Sequence, residues 1–169
     1  QITPANVKEL QVAWTARTGD VPQSNGFGAE DQNTPLQIGD TLFLCTPHNQ
    51  VIAIDADSGK QRWAFDPKAT APNWQRCRGL GYFDATTAPS AADAAAPAPA
   101  PLPATETAST GPALCGKRIL MTSIDARLFA LDAKTGALCP DFGSNGVVDL
   151  KVGMGEIKPG FYTLTAAPL

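Results

Sequence analysis

In this 169-residue sequence, the residue best suited to bind a ligand is an arginine, Arg78, which is followed by Gly79. A guanidinium group can donate two parallel hydrogen bonds to a carboxylate, and it keeps its charge at physiological pH. Because glycine has no side chain, a ligand could approach the backbone at Gly79 closely. The pair could therefore bind a planar anion. An arginine with a solvated head group at the end of an exposed strand would leave the same pattern.

The single histidine, His48, lies in the segment 46–50, which the sequence predicts to be a hairpin turn. No carboxylate or second histidine is close to it in the sequence, so we expect a solvated turn residue rather than a base or a metal ligand. Asp55 and Asp132 occupy the same place in two copies of a repeat. This recurrence indicates a structural role as turn caps.

The four cysteines could serve as disulfide partners or as buried thiols. They contain no CxxC pair, which argues against zinc-ribbon and thioredoxin chemistry. An even number of cysteines permits disulfides in an oxidising compartment. The cysteines are Cys45, Cys77, Cys115 and Cys139.

Composition indicates a folded chain and excludes some kinds of partner. Only 17% of the residues are charged, 43% are hydrophobic, and the net charge is −3. This balance is typical of globular proteins and, without a basic stripe, argues against nucleic-acid binding. No apolar run reaches the roughly 20 residues that span a bilayer. The sequence begins at Gln1 and ends at Leu169 without a signal peptide or initiator methionine, so we expect it to be part of a longer protein.

An internal repeat predicts the fold. Residues 51–60 and 128–137 each contain an apolar run followed by Asp-Ala-x-Ser/Thr-Gly. The aspartate caps the turn, and the glycine supplies the positive φ that closes a hairpin. A preceding run, 42–46 or 118–123, makes each copy a small antiparallel meander. Such sheets must stack on neighbours to bury their faces, and radial stacking of four-stranded meanders gives a β-propeller.

Short β-branched and aromatic runs between Gly and Pro residues predict further strands. They fall at residues 12–16, 41–45, 51–55 and 61–65. The one plausible helical turn covers residues 3–10, where threonine precedes proline.

A Pro/Ala-rich insertion at residues 85–113 separates the two copies of the repeat more widely than ordinary blades require. It contains no aromatic residue and almost no charge, so it cannot bury enough apolar area to order itself. We interpret it as a surface loop between two strands of one blade. A linker between domains is the competing interpretation, which the immediate return of the meander at Lys117 disfavours.

Several motifs, taken in order, resemble those of the pyrroloquinoline quinone (PQQ)-dependent dehydrogenases. Residues 55–63 resemble the family's tryptophan-docking motif, with Trp63 as the docking residue, and 139–143 with 146–150 resemble the membrane-bound glucose dehydrogenase branch. The resemblance implies an all-β fold, part of an eight-bladed β-propeller, with about three four-stranded antiparallel blade segments in residues 1–169. Further matching segments are 1–10, 34–36, 39–42 and 77–79.

The resemblance also implies a set of site residues. Arg78 matches the family's cofactor-contacting arginine, and Thr165 matches a threonine whose hydroxyl bonds to PQQ. Gln32 stands where many members carry a cofactor-contacting glutamate. Trp74 occupies the place of a histidine near the substrate pocket of glucose dehydrogenases, which makes it a substrate-pocket candidate. Each could also be an ordinary strand, loop or packing residue.

The second repeat departs from the docking motif, because Pro140 stands where the first repeat has Trp63. The second blade must then be held in another way. A disulfide between Cys115 and Cys139 would act as a local staple in place of the missing tryptophan.

The implied function is oxidation of an aldose to its lactone, with PQQ as cofactor and ubiquinone as electron acceptor. Calcium would be bound by ligands outside this chain, and the remaining propeller blades would be its structural partners. The resemblance places the protein in the periplasm, anchored to the inner membrane by segments absent here. Two alternatives stay open: a PQQ-dependent alcohol dehydrogenase, which the absence of a Cys-Cys pair beside Arg78 disfavours, and a non-enzymatic propeller scaffold.

Overall fold

The computed structural model describes residues 2–21, 28–87 and 115–168, and these residues form an all-β structure. A single turn of 3-10 helix, Val7–Glu9, precedes the strands. The ten strands are β1 Ala29–Asp31, β2 Leu36–Ile38, β3 Thr41–Cys45, β4 Val51–Asp55, β5 Gln61–Phe65, β6 Gln75–Cys77, β7 Gly81–Asp84, β8 Lys117–Thr122, β9 Arg127–Asp132 and β10 Val147–Asp149.

Eight of the strands form two four-stranded antiparallel sheets. Blade 1 has the order β2-β3-β4-β5, and blade 2 has the order β10-β9-β8-β7. Both are meanders, because each strand pairs with the next one in the chain. The two copies of the repeat supply β4 and β9 with the turns that follow them, and the aspartate of each copy accepts hydrogen bonds from the Ser58 or Thr135 hydroxyl and backbone N–H. The repeat is thus the hairpin unit that the sequence predicts.

One hydrophobic core lies between the two blades. Because side chains alternate across a strand, every second residue of β3 and β8 is buried on this side. Phe65 of blade 1 packs edge-on against Phe129 of blade 2, with ring centroids 5.6 Å apart. The fully buried members of the core include Val51, Ala53, Ile119, Met121 and Leu131.

A tryptophan ties each blade to the segment before it. The Trp63 indole Nε1 donates a hydrogen bond of 3.2 Å to the Ala133 carbonyl, and its ring lies against Gly136 in the turn of blade 2. Trp14 repeats this contact one blade earlier, with a 2.9 Å hydrogen bond to the Ala56 carbonyl and its ring against Gly59. The docking expected of Trp63 is therefore present, and Trp14 has the same role.

The remaining two strands, β1 and β6, form a short parallel pair in which Asp31 lies opposite Cys77. Parallel strands need a long crossover connection. Here blade 1 supplies it, because its four strands all lie between β1 and β6 in the chain. The pair brings a segment before blade 1 next to a segment before blade 2.

The all-β, four-stranded antiparallel architecture is confirmed, but three local expectations change. Within the described residues there are two complete four-stranded sheets rather than about three. Residues 12–16 form no strand; they are anchored by the Trp14 side chain instead of a backbone ladder. The predicted helical turn at 3–10 shortens to Val7–Glu9.

The predicted insertion at 85–113 lies outside the described residues from position 88 onwards. Its flanks are adjacent, because Asp84 at the end of β7 pairs with Lys117 at the start of β8. The two residues belong to neighbouring strands of blade 2.

Candidate functional site

The parallel pair β1–β6 positions two of the predicted site residues. Gln32 directly follows β1 and Arg78 directly follows β6. The carboxyl ends of parallel strands meet at the same edge, so the register of Asp31 with Cys77 places Gln32 beside Arg78. The sequence separates these residues by 46 positions, and only the pairing of the two strands brings them together.

Arg78 bonds to both of the other predicted cofactor ligands. Its Nε donates to Gln32 Oε1 at 3.0 Å, and its Nη1 donates to Thr165 Oγ1 at 2.7 Å. The backbone is fixed as well, because the Arg78 N–H donates to the Thr165 carbonyl and the Thr34 N–H donates to the Arg78 carbonyl, both at 3.0 Å. Arg78, Gln32 and Thr165 therefore form one hydrogen-bonded group, which we call the arginine cluster.

Two further charged residues, which sequence reasoning missed, extend the cluster. Glu30 Oε2 accepts a 2.6 Å hydrogen bond from Gln32 Nε2 and lies 3.6 Å from Arg76 Nη1. Alternate residues of a strand share a face, so Glu30 with Gln32, and Arg76 with Arg78, lie on one face of the pair. The spacing of two residues within each of these pairs is the sequence signal that could have revealed their shared face. Two arginines against one glutamate leave this face with a net positive charge.

The segment that leads into Arg78 contains buried polar atoms without partners. Within the parts of the chain that the structure describes, the unpaired buried side-chain atoms are Asn73 Oδ1, Gln75 Oε1 and Arg76 Nε. Buried polar groups in folded proteins are almost always hydrogen-bonded. All three belong to four consecutive residues, 73–76, which lead into Arg78.

Trp74, the substrate-pocket candidate, is not part of the arginine cluster. It directly precedes β6, so it lies at the opposite end of that strand from Arg78, roughly 13 Å away at the usual rise per residue. Its side chain is 48% exposed, and its ring lies so close to Gly28 that a Cβ there would stand 2.5 Å from it. One face of the indole is thus used for packing, and the substrate role stays a prediction.

The four cysteines form two disulfides, Cys45–Cys77 and Cys115–Cys139. The second is the pairing expected as a staple of blade 2. It packs with Ala130, whose neighbours in β9 point toward blade 1, so it lies on the face of blade 2 turned away from blade 1. The first pairing, which the sequence left open, lies beside Arg78.

His48 lies in the predicted turn with its side chain partly exposed, but the expectation that it has no carboxylate partner is wrong. Its Nδ1 contacts the Asp20 carboxylate, and its backbone N–H donates to the other carboxylate oxygen at 2.9 Å. Burial raises the pKa of Asp20, but hydrogen bonds from Thr46 and from His48 outweigh it and hold the pKa below its ordinary value. The partner is 28 positions away in the sequence, which is why proximity along the chain did not reveal it.

The arginine cluster fits one carboxylate of a ligand such as PQQ. Arg78 is exposed, and its Nη2 has no hydrogen-bond partner among the described residues. Gly79, where the sequence suggested a close approach of a ligand to the backbone, is instead buried, and a Cβ there would stand 3.5 Å from the Ala167 Cβ and 3.6 Å from the Thr34 carbonyl oxygen. The described ranges contain no group of three or more His, Cys, Asp or Glu side chains that could hold a metal ion.

Comparison with known sequences gives a consistent set of similarities. The profile of the family described as "PQQ: Glucose/ethanol/alcohol dehydrogenase, beta-propeller domain" matches residues 1–169. The chain is 54% identical over 151 residues to a "Probable quinate dehydrogenase (quinone)" of Xanthomonas campestris pv. juglandis, covering 89% of this chain and 19% of that protein.

Two Acinetobacter proteins are also similar. The quinate/shikimate dehydrogenase (quinone) of Acinetobacter baylyi is 47% identical over 169 residues, which is 99% of this chain and 20% of that protein. The quinoprotein glucose dehydrogenase A of Acinetobacter calcoaceticus is 41% identical over 170 residues, which is 98% and 20%. The chain thus spans about a fifth of the length of these relatives.

Among solved structures, the quinohemoprotein alcohol dehydrogenase of Comamonas testosteroni matches with a TM-score of 0.61 and 23% identity. The match covers 99% of this chain and 19% of that one. It supports the propeller fold.

Proposed function

The chain belongs to the PQQ-dependent glucose/ethanol/alcohol dehydrogenase family, as part of its β-propeller domain, and from this premise we propose that it forms one wall of a PQQ site. The observation that carries the proposal is the arginine cluster. The family resemblance assigns Arg78, Gln32 and Thr165 to the cofactor, and in the structure Arg78 bonds to both of the other two. The whole protein is then a dehydrogenase that oxidises a hydroxyl group and passes the electrons to a quinone.

Each residue of the cluster has a distinct part in holding the cofactor. PQQ supplies an ortho-quinone that accepts two electrons. Arg78 would donate to one of its carboxylates through Nη2, the guanidinium nitrogen that is not already bonded. The Gln32 amide and the Thr165 hydroxyl hold that guanidinium in place, which lowers the entropy cost of binding. Calcium, which the family uses as a Lewis acid, takes its ligands from outside the described residues.

For the substrate we propose a cyclic hydroxycarboxylic acid of the quinate/shikimate type. Support comes from the identities of 54% and 47% with relatives named for quinate, against 41% for a glucose dehydrogenase. Trp74 stands where the glucose dehydrogenases carry a histidine, which is consistent with a substrate pocket different from theirs.

An aldose, oxidised to its lactone, is the second candidate. It is favoured by the motif 139–143, which resembles the glucose dehydrogenase branch, and by the match to the Acinetobacter calcoaceticus enzyme over 98% of the chain. An alcohol substrate has weaker support, since a 1-butanol dehydrogenase (cytochrome c) relative is 27% identical. Membership in a dehydrogenase family favours all three over the scaffold alternative.

We further propose that the protein is periplasmic, that ubiquinone is its acceptor, and that segments outside this chain anchor it to the inner membrane. The two disulfides support an oxidising compartment. No helix in the described ranges has the length and apolar character needed to cross a bilayer.

The cofactor assignment is tested by measuring the dissociation constant of PQQ, with Ca²⁺ present, for the full-length protein and its Arg78→Ala variant. Loss of a charge-assisted hydrogen bond costs about 2 kcal/mol, or about a thirtyfold weaker affinity. Arg17→Ala removes the same charge at an exposed position away from the cluster and serves as the control. Equal affinities of all three proteins would contradict the assignment, and no PQQ binding by the unmodified protein would leave the scaffold alternative.

The substrate assignment is tested by the turnover of PQQ-loaded full-length protein with quinate, shikimate, glucose and ethanol. We expect kcat/KM to be highest for the two hydroxycarboxylates. A higher value for glucose would replace the first candidate by the second.

A further inference from the structure

The Cys45–Cys77 disulfide lies directly behind the arginine cluster. Cys77 is the last residue of β6 and is bonded through its backbone to Arg78, and Cys45 is the last residue of β3 in blade 1. Both cysteines are almost completely buried, at 3% and 1% exposure. The bond therefore fastens the strand that presents Arg78 to the rigid sheet beside it.

The same disulfide also holds the other half of the cluster. The Cys45 N–H donates a 3.1 Å hydrogen bond to Asn33 Oδ1, and Asn33 follows Gln32. On the far side of Asn33, the Thr34 N–H donates to the Arg78 carbonyl. The segments that carry Gln32 and Arg78 thus converge on one covalent cross-link.

A short strand pair needs such support. β1 and β6 have only three residues each and, within the described ranges, pair only with one another. Arginine and glutamine lose much rotamer freedom when they are fixed, and a misplacement of about 1 Å can weaken a site severely. A covalent tie to blade 1 limits that misplacement.

We propose that Cys45 and Cys77 are positioning residues of the cofactor site, whose disulfide holds Arg78 and Gln32 in the geometry that binds PQQ. This inference rests on the proposed function. A general contribution to stability is the competing role, and the second disulfide separates the two. Cys115–Cys139 closes a chain segment of 24 residues against 32, so the two bonds constrain the unfolded chain similarly. The Cys115–Cys139 bond lies on the face of blade 2 that is turned away from blade 1.

The experiment compares two double variants of the full-length protein, Cys45→Ala/Cys77→Ala and Cys115→Ala/Cys139→Ala. The melting temperature without cofactor and the dissociation constant for PQQ with Ca²⁺ are measured for each. We expect both variants to melt at lower temperature, but only the first to bind PQQ at least tenfold more weakly. Equal PQQ affinities of the two variants would overturn the proposal.

A double-mutant cycle with Arg78→Ala gives a readout that a purely structural role would not move. If the disulfide acts through Arg78, breaking it in the Arg78→Ala background should weaken PQQ binding less than twofold further. A full tenfold additional loss in that background overturns the proposal. If the double-alanine protein does not fold, Cys45→Val/Cys77→Ala restores part of the lost core volume and carries the same expectations.

The proposal and the function on which it rests fail differently. No PQQ binding by the unmodified protein overturns both. Binding by the unmodified protein, with no difference between the two disulfide variants, overturns only the positioning role.

Discussion

Asn49 connects three separate segments through one fully buried side chain. Its Oδ1 accepts a 2.7 Å hydrogen bond from the Ile124 N–H in blade 2, and its Nδ2 donates to the Arg76 carbonyl at 3.3 Å. It lies in the turn between β3 and β4 with a φ of 65°. The equivalent position of blade 2 is Ala126, with a φ of 63°. The amide is therefore required for its contacts, not for the conformation of the turn.

We predict that Asn49→Ala destabilises the full-length protein by about 1–3 kcal/mol, because it leaves a buried N–H without a partner. Asn145→Ala is the matched control, since Asn145 has a φ of 53° and is exposed. Thermal unfolding of both variants checks the prediction. Similar losses of stability would show that backbone conformation, and not the inter-blade bond, sets the cost.

Single residues could be assigned from the sequence where a local motif marks them, and not where the partner is distant. The order of motifs pointed to Arg78, Gln32 and Thr165. Their mutual contact depends on two three-residue strands, which are too short to leave a recognisable alternation. The pairing of His48 with Asp20 and the role of Asn49 depend on contacts 28 and 75 positions apart.

The central strands of the two blades follow closely from the sequence, because apolar runs mark β4 and β9 and a glycine marks the turn that follows each of them. The links between blades follow less well. Trp63 was identifiable through its repeat, whereas Trp14 precedes the first copy and its segment reads as a strand. The structure shows that both indoles do the same thing, each lying against the glycine of the next Asp-Ala-x-Ser/Thr-Gly turn.

This docking predicts that Gly136→Ala is more harmful than an ordinary replacement of a turn glycine. A Cβ at Gly136 would stand 2.6 Å from the Trp63 ring, and φ is 73°. Displacing the indole would break its bond to Ala133 and add about 1–3 kcal/mol of overpacking cost.

Gly39→Ala provides the control, since Gly39 has a φ of 59° and no atom within 4 Å of the added Cβ. This variant measures only the free-energy cost of placing an alanine at a positive φ, about 1–2 kcal/mol. Denaturant or thermal unfolding of the two variants gives the comparison. Equal destabilisation of the two variants would mean that the Trp63 indole moves aside at no cost in stability.

At the scale of the molecule, two blades and a parallel strand pair make up only part of a ring. The chain spans about a fifth of its relatives, and several large apolar side chains are exposed on it. The arginine cluster also lies open, because Arg78 is exposed. Under the proposed function, the catalytic base, the calcium ligands and the cover of the site would come from outside the described residues.

We predict that residues 1–169 produced alone neither oxidise glucose or quinate nor bind PQQ tightly. Unpaired strand edges of the open arc should also promote self-association. Dye reduction assays and PQQ titration of the isolated chain, with the full-length protein as positive control, test this. Sustained substrate-dependent dye reduction by the isolated chain would contradict it.

In both tryptophan contacts, the indole is synthesised before the turn on which it docks. Each indole docks on a turn that lies later in the chain, 42 residues on for Trp14 and 70 residues on for Trp63. At a translation rate of about 5–20 residues per second, roughly 4–14 s pass between the synthesis of Trp63 and that of its acceptor, Ala133. During that interval the indole of blade 1 has no acceptor, so its docking can only follow the synthesis of the turn that contains Ala133 and Gly136.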